Sequence, residues 1–220
     1  MSELLFRIII TFIEAINVMK IKILCIGDSH TAGFPLFDPL YGGEAHSSYE
    51  YWLNLLLTNR FPETSFIIDN KGICGQLSSE VYRRLKTHLS ASSYHLVIFW
   101  GGVNDIAIGY TVNTIWNNLW QAFKFTQERS TAFMLVTIPP MNWPAINSKI
   151  LQLNEKIRNK SSVETYMYAD AYNALVLENQ GILNPLFDAG DGVHLSIDGY
   201  TQIGKEIFNN ASSFIGNILK

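Results

Sequence analysis

Between Met19 and Ala169, short runs of β-branched and aromatic residues alternate with longer stretches of helical period, and this alternation leaves few folds open to the chain. The apolar runs Ile21–Ile26, Ser65–Asp69, His95–Trp100, Ala132–Ile138 and Thr165–Ala169 read as five strands. Helical patterns fall at 46–60, 76–89, 112–129 and 147–159, and a last one runs from Ile197 to about Phe214, with Ser196 as N-cap and Asp198 in its first turn. Strands that are apolar along their whole length and separated by helices predict βαβ units, hence a parallel sheet covered on both faces. In such sheets ligands bind outside the carboxyl ends of the strands, so the loops that follow them are where chemistry is expected.

A chain of 220 residues suits one domain, placed here at 19–220. Its 16 basic residues against 19 acidic ones leave a net charge of -3, which argues against a nucleic-acid partner. Cys25 and Cys74 lie far apart with no CxxC spacing, so they predict buried small hydrophobes in a reducing compartment rather than a zinc module or disulfide scaffold. His30, His46, His88 and His95 lack metal-ligand spacing and read as surface or core residues; no metal and no cofactor is expected.

Residues 1–18 form a separate unit. Arg7 and Glu14 interrupt the apolar run from Leu4 to Ile16, so it is too short to span a bilayer, and the charge order and following residues are wrong for a cleaved leader. Glu3, Arg7, Thr11, Glu14 and Asn17 fall on one stripe of a helix whose remainder is apolar, predicting an amphipathic helical extension. In order of preference it packs on its own domain, on a second copy of the chain, or on a membrane surface; Met19 is an alternative start. A cytoplasmic location is expected.

The loops after the strands hold Gly27-Asp28-Ser29-His30, Asn70-Lys71-Gly72-Ile73-Cys74-Gly75, Gly101-Gly102-Val103-Asn104-Asp105 and, before the last helix, Asp191-Gly192-Val193-His194. Together they bring to one sheet edge a hydroxyl, two glycine-rich turns, a side-chain amide, and an acid three residues from an imidazole. Acyl transfer needs those roles: a base to take the serine proton, an acceptor to orient the base, and donors aimed at the oxyanion. Neither GxGxxG nor GxxxxGK[ST] follows the first strand, which weakens a nucleotide- or flavin-binding alternative.

These four segments resemble, in order, the four sequence blocks of the SGNH or GDSL hydrolases, a family of esterases, lipases and related acyl hydrolases. The resemblance runs from about Lys20 to Phe208; its one visible departure is His30 where the family name has Leu. It implies a flavodoxin-like α/β/α sandwich with strand order 2-1-3-4-5. It also implies Ser29 as nucleophile, His194 as general base, Asp191 as its orienter, and an oxyanion hole made by the backbone N–H groups of Ser29 and Gly75 and the Asn104 side chain. The expected activity is hydrolysis of carboxylic esters, lipase- or lysophospholipase-like or of small acyl groups. A carbohydrate O-acetyl esterase, a thioesterase and a non-catalytic binding relative are the alternatives. Phe34 and Leu36 after the nucleophile, with Met141 and Trp143 after the fourth strand, are expected to wall an apolar acyl pocket.

Overall fold

The computed structural model describes residues 18–220; the amphipathic helix expected over 1–18 lies, but for Val18, outside the described residues. Five parallel strands form the central sheet: β1 (Met19–Gly27), β2 (Thr64–Gly72), β3 (Leu96–Trp100), β4 (Ala132–Val136) and β5 (Met167–Ala169). Their order is β2-β1-β3-β4-β5, the flavodoxin-like order expected. β2 extends three residues beyond its expected end at Asp69 because it pairs with all of β1, from Met19 opposite Thr64 to Gly27 opposite Gly72.

The helices are α1 (Ser29–Ala32), α2 (Tyr49–Arg60), α3 (Ser78–Ala91), α4 (Val103–Ala107), α5 (Val112–Gln127), α6 (Pro144–Ser161), α7 (Ala171–Leu175) and α8 (Ile197–Ile218). The strand period of two sorts the core into two layers. Leu24, Ile26, Val97, Phe99, Phe133 and Leu135 face α3, α5 and α6, whereas Ile21, Ile23, Cys25, Ile98, Trp100 and Met134 face α2 and α8. Both faces are therefore dry, as a continuously apolar strand requires.

Local chemistry sets the helix ends. Ser48 caps α2 after a short 3₁₀ turn, so this helix begins at 49 rather than 46. α6 starts early because Pro144 occupies its first turn, where the missing N–H costs nothing. Ser196 caps α8 as expected, accepting from the Gly199 N–H, and the helix continues to Ile218 because its apolar stripe reaches Ile215. Three short helices, α1, α4 and α7, and two small hairpins, 37–43 and 176–183, were not foreseen. No helix among the described residues is long and apolar enough to cross a membrane.

Candidate active site

The carboxyl ends of β1, β2 and β3 lie side by side, with Gly27 paired to both Gly72 and Trp100. The turn after β1 is built by Asp28, whose carboxylate accepts the His30 N–H and starts α1 with Ser29 in its first position. Asn70, at the end of β2, holds the other end of that helix by donating to the Thr31 carbonyl at 2.8 Å. A side chain at Gly72 would lie 2.0 Å from the Ala32 nitrogen, so only glycine lets β2 pass this close to α1.

The loop before α8 delivers the acid and the imidazole. Asp188 accepts the N–H groups of Gly190 and Gly192, and the Ala189 N–H donates to the His194 carbonyl, which folds residues 188–195 into a closed turn. Within it Asp191 Oδ1 accepts the main-chain N–H groups of Val193 and His194 at 2.9 and 2.8 Å. Its Oδ2 lies 2.6 Å from His194 Nδ1, and His194 Nε2 lies 3.1 Å from Ser29 Oγ. A carboxylate only accepts, so Nδ1 carries the ring proton in the neutral imidazole and Nε2 presents a lone pair to the serine hydroxyl. Burial alone raises the Asp191 carboxyl, but the His194 ring and the backbone N–H groups of His194 and Val193 outweigh it and hold the carboxyl down to about 2. Ser29, His194 and Asp191, each assigned from sequence, thus form one hydrogen-bonded chain.

Gly75 and Asn104 meet at Gln76. Residues 73–76 make a turn in which Gln76 N–H donates to the Ile73 carbonyl, and Gly75, with φ +77°, occupies the position where such a turn needs a left-handed residue. Asn104, in the first turn of α4, donates one amide hydrogen to the Gln76 carbonyl at 3.0 Å, which orients the amide and leaves its second hydrogen without a partner among the described residues. Beneath this turn Arg84 donates to the carbonyls of Lys71 and Gly27 and to Gln76 Oε1, at 2.7, 2.9 and 2.7 Å. One guanidinium therefore ties the ends of β1 and β2 to the Gly75 turn.

Of the residues expected to wall a pocket, Phe34 lies against the base. The Phe34 ring meets the His194 ring edge-on at 4.6 Å, and Phe34, Leu36, Ile73 and Trp143 are exposed. Trp143 is next to Asn142, which is tied to Gly192 and Asp188. Met141, expected in the pocket wall, is instead fully buried with Ile138, Ile146 and Ile150. Asn147 bonds both the N–H and the carbonyl of Met141, turning the side chain into the core. Cys25 is buried as expected, but Cys74 is exposed because it stands at the outer corner of the Gly75 turn. Asp188, Arg84 and Asn142 escaped the sequence reading; only Asp188 had a local signal, an acid two residues before a glycine.

The profile of the GDSL-like Lipase/Acylhydrolase family matches residues 25–202. No curated protein matches the sequence. Among solved structures, the chain is similar to a variant of Axe2, an acetyl-xylooligosaccharide esterase from Geobacillus stearothermophilus, with TM-score 0.73 and 20% identity over 88% of this chain and 94% of that one. A member of the lipolytic G-D-S-L family from Veillonella parvula gives TM-score 0.71 at 15% identity, covering 86% and 97%. A GDSL-like lipase from Bacteroides thetaiotaomicron gives 0.64 at 19%, covering 90% and 93%. With the family profile spanning all four loop segments that build the site, the chain belongs to the GDSL-like lipase/acylhydrolase family and is an ester-hydrolysing enzyme.

Proposed function

We propose that the chain hydrolyses carboxylic esters of short or medium apolar acyl chains through an acyl-enzyme on Ser29. The observation that carries this is the unbroken chain from Ser29 Oγ through the His194 ring to Asp191, with links of 3.1 and 2.6 Å. His194 Nε2 takes the hydroxyl proton as Oγ bonds to the ester carbonyl carbon, and the C=O electron pair moves onto oxygen. The N–H groups of Ser29 and Gly75, which carry no hydrogen bond to another described residue, and the free amide hydrogen of Asn104 are the donors for that oxyanion. Collapse breaks the bond to the alcohol oxygen, which leaves with the proton from Nε2. Water repeats the sequence, giving its proton to Nε2 and releasing the acid and free Ser29.

The exposed Phe34, Leu36 and Trp143 support an apolar acyl group. A second reading, removal of an acetyl group from a carbohydrate, is favoured by the exposed Trp143 indole, a flat face on which a pyranose ring stacks. The test is hydrolysis of p-nitrophenyl esters from acetate to palmitate, and of acetylated xylo-oligosaccharide, by wild type and Ser29→Ala. Turnover lost in Ser29→Ala is expected, with an optimum between butyrate and octanoate. An optimum at acetate with faster release from the oligosaccharide would select the second reading. Absence of both turnover and fluorophosphonate labelling of Ser29 in the folded protein would overturn the proposal.

A further inference from the structure

We propose that His30 is a positioning residue for the base: its Nε2–H holds the Val193 carbonyl and thereby sets how close His194 comes to Ser29. This role rests on Ser29, His194 and Asp191 acting as proposed above.

His30 follows Ser29 in α1 and is buried, 1% exposed. Its ring centroid lies 5.0 Å from that of Trp100, at the end of β3, and 5.7 Å from that of His194, so the imidazole is a slab between the sheet edge and the base. Nε2 lies 3.0 Å from the Val193 carbonyl oxygen. A carbonyl only accepts, so this nitrogen carries the proton. The backbone N–H of His30 is held by Asp28 Oδ1, which fixes the main chain that carries the ring.

Nucleophile and base come from opposite ends of the chain, and the link between His30 and Val193 joins segments 163 residues apart. Among the described residues the other contacts here are the Ser29–His194 hydrogen bond, the His30 and Phe34 rings against His194, and, from α8 just past the base loop, the Tyr200 hydroxyl donating to the Phe34 carbonyl at 2.8 Å. Asp191 and Asp188 hold the base loop to itself, and Asn142 holds it to the loop after β4; none of them holds it to α1. The buried His30 therefore registers the base loop against the nucleophile helix. A leucine, the residue of the family name, would fill similar space but donate nothing.

The experiment compares His30→Leu and His30→Gln with wild type on the best p-nitrophenyl ester, with melting temperature and circular dichroism on each. Displacing a reacting group by about 1 Å costs on the order of 10²-fold, so kcat is expected to fall roughly 10- to 100-fold in His30→Leu while KM changes less than about twofold. Glutamine carries an amide hydrogen at nearly the same reach and is expected to restore kcat to within about threefold of wild type. A folded His30→Leu with more than half the wild-type kcat would overturn the role, as would a folded His30→Gln no better than leucine. The wild-type protein supplies an independent check that needs no variant: the ¹⁵N–¹H spectrum of its imidazoles should show His30 protonated on Nε2, and a bare Nε2 would end the proposal. Turnover that survives Ser29→Ala would instead count against the triad, whatever the His30 variants do.

Discussion

Asp191 holds His194 twice: Oδ2 meets the ring nitrogen Nδ1 at 2.6 Å, while Oδ1 accepts the main-chain N–H at 2.8 Å. Asparagine would keep the main-chain bond but turn a donor towards Nδ1–H, favouring the wrong tautomer. The Asp191 side chain is 49% exposed, so water can take up part of the lost role. Asp191→Asn should lower kcat by about 10²- to 10³-fold and His194→Ala by ~10⁴-fold or more, by steady-state kinetics on one ester. Full activity in Asp191→Asn would move the orienting role to another group.

The same carboxyl, held down to about 2, favours the folded state wherever it is ionised. Its contribution is complete above the unfolded-state value of about 3.9 and is lost as pH falls from there towards about 2. Asp191→Asn should therefore melt below wild type by a constant margin between pH 4 and 6, and the margin should close as pH falls from about 4 towards 2, a comparison made on melting temperatures.

Asn104 spends one amide hydrogen on the Gln76 carbonyl, and the other is the donor proposed for the oxyanion. Losing one oxyanion donor costs roughly 10²–10³ in kcat, so Asn104→Ala should lose about that much with its melting temperature near wild type. A drop of less than about threefold would remove Asn104 from the oxyanion hole.

Arg84 serves three acceptors from one planar group, at 2.7, 2.9 and 2.7 Å. An ammonium on a flexible stem cannot match that fork. Arg84→Met leaves the Gly27 and Lys71 carbonyls without this donor, at about 1–3 kcal/mol, and should lower both melting temperature and kcat. Arg84→Lys should recover stability more than turnover, because the Gly75 turn stays loose; equal recovery of both would assign Arg84 to the fold alone.

Glu50, in the first turn of α2, is buried beside Tyr49, and its two carboxylate oxygens have no hydrogen-bond partner among the described residues. Burial pushes its carboxyl up to about 8. The folded protein then binds a proton that the unfolded chain releases above about 4.3, so stability falls as pH rises from there to about 8, by up to ~1.4 kcal/mol per pH unit. Glu50→Gln, neutral at every pH, should melt progressively higher than wild type as pH rises from 5 to 8; a constant gap would contradict the buried acid.

The sheet is legible in sequence because β1 carries apolar residues on both faces, Ile21, Ile23 and Cys25 on one and Leu24 and Ile26 on the other, which only a doubly covered strand tolerates. The site is legible where spacing is local: Asp191 and His194 share one turn. It is hidden where geometry is long-range. α1 has four residues and depends on Asn70, whose bond to Thr31 spans 39 positions. His30 finds its acceptor at Val193 and Arg84 finds Gly27 57 positions away, contacts that leave no periodic trace. Met141 has the look of a loop residue and is core because Asn147 turns it inward.

The Asn142 main chain donates to the Gly192 carbonyl at 2.8 Å, and its side chain to Asp188 at 3.0 Å. The loop that presents Trp143 and the loop that presents His194 are therefore one mechanical piece, although 50 positions separate them. Recombination between relatives with a crossover anywhere from 143 to 188 would pair an aromatic rim with a base it was not fitted to. A graft of one of these loops from a relative keeps its geometry only when the other travels with it.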